Sequence, residues 1–178
     1  MEQRWRGLES LVIKGLVKNI GVSNCNILQL KDILSFAVIK PYANQVECHP
    51  YFPQSELLTF CLENDILFIG FSSLGSPAVI SYKDKPGHPG MLNDPVITSI
   101  AEKHSKTSAQ ILLKWAVQRG TMPIVKTTNT QHVKENIMLS GFTLTEEDME
   151  RLEGLGRRDG RVFREEYAKD SQYWHFDD

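Results

Sequence analysis

The chain has 178 residues, a hydrophobic fraction of 41% and a formal net charge of −2, which fits one ordinary soluble domain large enough to bury a core. Both charge signs are interspersed and no apolar run approaches bilayer-spanning length, so nucleic acid and membrane are excluded as expected partners. The N-terminus, MEQRWRGLES, does not read as a signal peptide, and three cysteines without patterned spacing, Cys25, Cys48 and Cys61, fit reduced thiols in the cytoplasm.

Trp5, Leu8, Leu11 and Val12 recur at helical spacing, so a helix is expected over Arg4–Gly15, with Gly15 as its stop. Val17–Val22 is a short β-rich run that ends at Ser23-Asn24. Asn26–Phe36 is helical, with Ile27, Leu30, Ile33 and Leu34 on one face. Asn44–Glu47 reads as a second strand and Gln54–Asn64 as a third helix, opening after Pro53. Ile66–Phe71 is a third strand of continuous apolar character. Ser72–Pro95 is the one long irregular stretch, rich in glycine and proline, and a loop of that length inside a domain is usually functional or disordered. Val96–His104 and Ser108–Arg119 read as helices, Met122–Lys126 as the fourth strand, and Gln131–Leu139 and Glu146–Leu155 as closing helices. Thr145 is placed to cap the last of these, with Glu146, Glu147 and Asp148 in its first turn. The tail after Gly160 reads as a loop.

Short, nearly all-apolar strands alternating with helices indicate an α/β fold with a parallel sheet covered by helices. A small doubly wound sheet and part of a (β/α)₈ barrel both fit that pattern. A nucleotide-binding doubly wound domain normally carries a glycine-rich turn after its first strand, whereas the turn here reads GVSNCN and no GxGxxG occurs. Every strand also ends in polar residues: Ser23-Asn24, Glu47, Ser72-Ser73 and Lys126-Thr127. Polar groups at the C-terminal ends of all strands are what a barrel's active face requires. A full barrel takes about 250 residues, so this chain would supply roughly half. It is expected to be a single partial domain over residues 1–178, with 156–178 as a C-terminal loop segment.

GLVKNIGVSN (Gly15–Asn24), NQVECHPY (Asn44–Tyr51), FSSLGSP (Phe71–Pro77) and IVKTTNTQHVKENI (Ile124–Ile137) resemble, in order and spacing, the conserved blocks of aldo-keto reductases, and the ending SQYWHFDD resembles that family's tail. The resemblance runs from Trp5 onward and implies strands five to eight, the C-terminal half of a TIM-type (β/α)₈ barrel. It implies an NADPH-dependent reductase acting on a small carbonyl substrate, an aldehyde or ketone. The family's catalytic Tyr, Asp, Lys and His belong to the other half, so no catalytic residue is nominated. None of the five tyrosines here matches that context.

The cofactor contacts carry over residue by residue. Ser23, Asn24 and Gln45 match the family's partners of the nicotinamide carboxamide, a group that needs uncharged donors and acceptors. Phe71 falls where the family usually stacks a tyrosine on the nicotinamide, and stacking needs the ring alone. Ser72, Leu74 and Ser76 match the loop around the pyrophosphate. Lys126, Thr127 and Thr128 offer a cation and hydroxyls ahead of a helix, a place suited to phosphate. Glu135 and Asn136 match contacts to the adenine amino group. His132 stands where an arginine often meets the 2′-phosphate. A neutral histidine is the weaker partner, so NADPH is expected over NADH by a smaller margin than usual, with NADH possible.

Plainer readings compete. Ser23 and Asn24 could merely cap the following helix. Cys48-His49 lacks a second pair at ligand spacing and is not expected to hold a metal. His88, His104 and His175 read as solvated, and the arginines from Arg157 to Arg164 as a solvated loop. A second hypothesis of a different class is a non-catalytic half-barrel that binds nucleotide or a partner. Open strand edges would in either case favour self-association.

Overall fold

The computed structural model describes residues 1–76, 90–157 and 160–163. In chain order the elements are α1 (Glu2–Ile13), β1 (Val22–Ser23), α2 (Ile27–Phe36), β2 (Ala43–Glu47), α3 (Ser55–Glu63), β3 (Leu67–Phe71), a 3₁₀ turn (Met91–Asn93), α4 (Pro95–His104), α5 (Ser108–Gln118), β4 (Met122–Pro123), α6 (Thr130–Ile137) and α7 (Glu146–Glu153). The four strands are parallel and lie in the order β1-β2-β3-β4. Sequential order is the order of a barrel wall, whereas a doubly wound sheet reverses direction partway across. The fold is thus a partial (β/α)₈-type barrel, as the strand-end chemistry suggested.

Local signals explain the helix starts. Asn26, Thr107 and Thr145 each build a capping box, with Gln29, Gln110 and Asp148 as the reciprocal partners. Asp94 accepts the Val96 amide at 2.9 Å, and Pro95 takes the first helical position of α4 rather than closing the preceding loop. The core lies between the sheet and its covering helices. Phe68 of β3, Leu58 and Cys61 of α3, Ile97 and Ile100 of α4, and Leu112 and Trp115 of α5 are buried there. A smaller cluster of Trp5, Ile20 and Ile33 fixes α1 and α2 below β1. Glu9, buried on α1, accepts the backbone N–H groups of Val38 and Ile39 at 2.7 and 2.9 Å. The Ile39 bond is the main reason its carboxyl lies below the usual range.

The outer strands are shorter than expected. Val17–Val22 contracts to Val22–Ser23, because Leu16 and Val17 face solvent and pairing begins only where β2 comes alongside. Tyr42 N–H still reaches the Ile20 carbonyl at 2.8 Å. Met122–Lys126 contracts to Met122–Pro123, with one further bond from Ile124 N–H to the Gly70 carbonyl at 2.9 Å. Among the described residues β1 and β4 each pair on one side, and no helix is long and apolar enough to cross a membrane.

Candidate functional site

The strand registers bring the polar ends together. Ser23 lies opposite Gln45, and Glu47 opposite Phe71. Ser23 Oγ donates to the Gln45 carbonyl at 2.9 Å, and the Asn24 N–H donates to the same oxygen at 2.9 Å. Asn24 occupies the left-handed region (φ 56°), which asparagine tolerates better than most residues. The turn is stapled from below. Asn44, fully buried, donates through Nδ2 to the Cys25 carbonyl at 2.8 Å and accepts the Cys25 N–H at 3.4 Å. Capping of α2 falls to Asn26, so the reading of Ser23 and Asn24 as caps is set aside.

After β3 the chain turns sharply. Ser72 (φ 60°) and Ser76 (φ 47°) both sit in the left-handed region, and their hydroxyls bond each other at 2.6 Å. Such conformations cost of order 1–3 kcal/mol each and cluster at binding sites. Ser73 Oγ donates to the Gly70 carbonyl at 2.9 Å and pins the turn to the strand end.

Beside this turn opens a cleft of about 830 Å³, lined by Phe71, Ser72, Ser73, Leu74, Ser76, Leu92, Thr107, Ser108, Ala109, Ile124, Val125, Lys126, Thr127, His132, Glu135 and Asn136. Its volume is in the range of small-molecule sites, roughly 300–1,000 Å³. Among the residues singled out from sequence, Phe71, Ser72, Leu74, Ser76, Lys126, Thr127, His132, Glu135 and Asn136 meet in this one cleft. Ser23, Asn24 and Gln45 lie outside its lining, at the ends of β1 and β2, and exposed Thr128 sits one residue beyond Thr127.

Lys126 is exposed and makes no ion pair among the described residues, so its charge is available to an anion. The N-terminal donors of α6 are less available, since Asn129 Oδ1 accepts from Gln131 N–H at 2.8 Å and His132 N–H at 3.4 Å. Glu135 Oε1 accepts from Gln131 Nε2 at 2.9 Å. Gln110 of α5 donates to the Glu135 and Met138 carbonyls at 3.2 and 3.4 Å, which fixes α6 against α5.

Several lining residues were not picked out from sequence. Thr107 and Ser108 sit at the start of α5, and the T-x-x-Q spacing to Gln110 was the available sign of a helix start facing the site. Ile124 and Val125 belong to the IVK run and form part of the apolar wall. His104 is not a solvated residue: Nε2 lies 2.7 Å from Asp148 Oδ2, and Lys103 Nζ lies 2.9 Å from the other oxygen. Burial opposes the charge on Asp148, but the bonds from His104, Lys103 and Thr145 outweigh it and hold the carboxyl well below the usual carboxylate range. Arg157 and Arg161 are likewise not simply solvated, since they lie over the rings of Tyr51 and Phe52 at 3.8 and 5.1 Å. His88, His175, Arg158 and Arg164 lie outside the described residues. Burial pushes the thiols of Cys25, Cys48 and Cys61 up to about 11, so they are not activated nucleophiles.

The chain matches the model of the Aldo/keto reductase family over residues 1–157. It is 44% identical over 153 residues to dihydrodiol dehydrogenase 3 of Bos taurus, covering 85% of this chain and 47% of that protein. It is 43% identical over 155 residues to aldo-keto reductase family 1 member C3 of Homo sapiens, covering 86% of this chain and 48% of that protein. Among solved structures, the crystal structure of Gox0644 in its apo form superimposes with a TM-score of 0.79 at 36% identity, over 90% of this chain and 55% of that one. The chain spans about half the length of the curated relatives it matches.

Proposed function

Since the chain belongs to the aldo/keto reductase family, we propose that it is the cofactor-binding part of an NAD(P)H-dependent carbonyl reductase. The observation that carries this is the single cleft. Side chains from two separated sequence blocks, Phe71–Ser76 and Lys126–Asn136, face one space with a free cation, hydroxyls and an aromatic ring. That donor set fits a dinucleotide. Lys126, Thr127 and His132 would hold phosphate, Ser72 and Ser76 the pyrophosphate, Glu135 and Asn136 the adenine, and Phe71 the nicotinamide face. Ser23, Asn24 and Gln45 would orient the carboxamide from the neighbouring strand ends. Bound cofactor would supply a hydride to the carbonyl carbon of an aldehyde or ketone. The residues of this chain bind and orient it, and no proton donor is nominated among them, so the chain by itself binds cofactor without turnover. The three free cysteines support a cytosolic setting.

NADPH is the favoured cofactor, because Lys126 adds charge where a 2′-phosphate would lie. Fluorescence titration of the chain with NADPH and NADH tests this. Lys126→Ala should raise the NADPH dissociation constant about tenfold, the worth of a charge-assisted contact, and the NADH constant by much less. Tighter binding of NADH than NADPH would refute the cofactor assignment.

We also propose that the chain self-associates. β1 and β4 each leave one edge unpaired among the described residues, and Ile124 and Val125 beside β4 are exposed. Such edges are templates for further pairing.

A further inference from the structure

We propose that Glu47 is a positioning residue that seats the segment 160–163 so that Phe163 packs edge-on against Phe71 and braces that ring where it lines the cleft. This rests on the reading of Phe71 as part of the cofactor site.

Glu47 ends β2 and is buried at 2% exposure. A buried carboxylate must be satisfied, and the partners of this one are distant in sequence. Oε1 accepts the Val162 N–H at 2.6 Å and lies 2.9 Å from His49 Nε2, while Oε2 accepts the Phe163 N–H at 2.9 Å. Two consecutive backbone amides are thus gripped by the two oxygens of one acid, across 115 and 116 residues of chain. Charge-assisted bonds of this kind are about twice as strong as neutral ones.

The path of the segment is constrained on its other side as well. A Cβ on Gly160 would stand 1.8 Å from the Tyr51 carbonyl oxygen, so this approach requires glycine. The result appears at Phe163. Its ring meets Phe71 edge-on, at 5.7 Å between centroids and 69° between planes. Phe71 lines the cleft and pairs in register with Glu47 itself. One acid at the end of one strand therefore fixes the aromatic that flanks the ring at the end of the next.

The test uses amide hydrogen exchange, read by NMR, together with NADPH titration of the whole chain. Glu47→Gln preserves volume but replaces one of the two accepting oxygens with a donor NH₂ and removes the charge, so the two amides no longer each meet their own anionic oxygen. Exchange at Val162 and Phe163 should accelerate at least about tenfold, the loss of one charge-assisted bond. The Cys48 amide, bonded to the Phe71 carbonyl, should stay protected. Phe163→Ala should leave the Val162 amide protected yet raise the NADPH dissociation constant about two- to tenfold, the worth of one aromatic contact. Unchanged exchange in Glu47→Gln would overturn the anchor, and unchanged affinity in Phe163→Ala would overturn the positioning role. If the unmodified chain fails to bind NADPH, the cofactor reading falls and the role of Phe163 falls with it. If it binds, and Lys126→Ala weakens binding while Phe163→Ala does not, this inference alone is wrong. Should Glu47→Gln lose all ladder protection, Gly160→Ala displaces the same segment and must accelerate the same two amides.

Discussion

Replacing Asn44 by alanine tests what holds the turn that carries Ser23 and Asn24. Asn44 is 0% exposed, and its amide donates to the Cys25 carbonyl at 2.8 Å and accepts the Cys25 N–H at 3.4 Å. The first bond is well formed, and the second is near the limit at which a bond contributes. Alanine leaves the partly buried Cys25 carbonyl without this partner, and losing that bond costs about 1–3 kcal/mol. The emptied amide volume adds about 1 kcal/mol. The expected loss is about 2–4 kcal/mol, or a fall in Tm of about 5–15 °C for a domain of this size. Thermal unfolding followed by far-ultraviolet circular dichroism measures it. NADPH titration on the folded variant should show weaker binding as well, because the Asn24 turn, left-handed at φ 56°, loses its staple. A loss of stability below about 0.5 kcal/mol, inside the range of ordinary surface changes, would refute the claim that Asn44 fixes this turn.

Asp148 should make stability depend on pH. Its folded-state carboxyl is held below its ordinary 3.8, so its contribution is fully present above that ordinary value and is lost as pH falls toward the lower folded value. Asp148→Asn should cost about 1–2 kcal/mol near neutrality, and the Tm gap to the unmodified chain should narrow steadily as pH falls below about 4; a gap that stays constant below that pH would contradict the assignment. Gly21→Ala should cost about 1–3 kcal/mol, because its Cβ would stand 2.7 Å from the Ala43 carbonyl oxygen and push β1 off β2. An unchanged urea midpoint would mean the strands do not approach so closely. On size-exclusion chromatography the chain should elute larger than its 20.3 kDa, and Ile124→Lys should shift it toward monomer. A clean monomer at high concentration would count against pairing at β4.

The sequence was most informative where the fold depends on neighbours a few residues apart. Capping at Asn26, Thr107 and Thr145 is written in i to i+3 spacing, and the helices begin within a residue or two of where that spacing puts them. The edge strands were harder, because an apolar run such as Val17–Val22 does not say how much of it finds a partner. The site divides the same way. Phe71–Ser76 and Lys126–Asn136 were readable as blocks, although nothing within either block states that both face one cleft. Contacts that close long loops left no local trace. His104 and Asp148 are 44 residues apart, and nothing near either one marks the other.

Glu47 shows what kind of question a sequence can still pose at such a point. Glu47 reads from sequence as a polar strand end, and the fold buries it at the end of β2. A buried carboxylate requires donors. His49 provides one at 2.9 Å, and the rest had to come from elsewhere in the chain. The segment after Gly160 looked like loop because it carries no periodicity, and it does lack helix and strand over 160–163. Val162 and Phe163 are nevertheless held, because their backbone amides meet one acid and not because of any pattern of side chains. Absence of periodicity therefore shows only that a segment makes no repeating bonds with itself. It leaves open whether a single buried charge elsewhere holds it in place, and for Val162 and Phe163 one does.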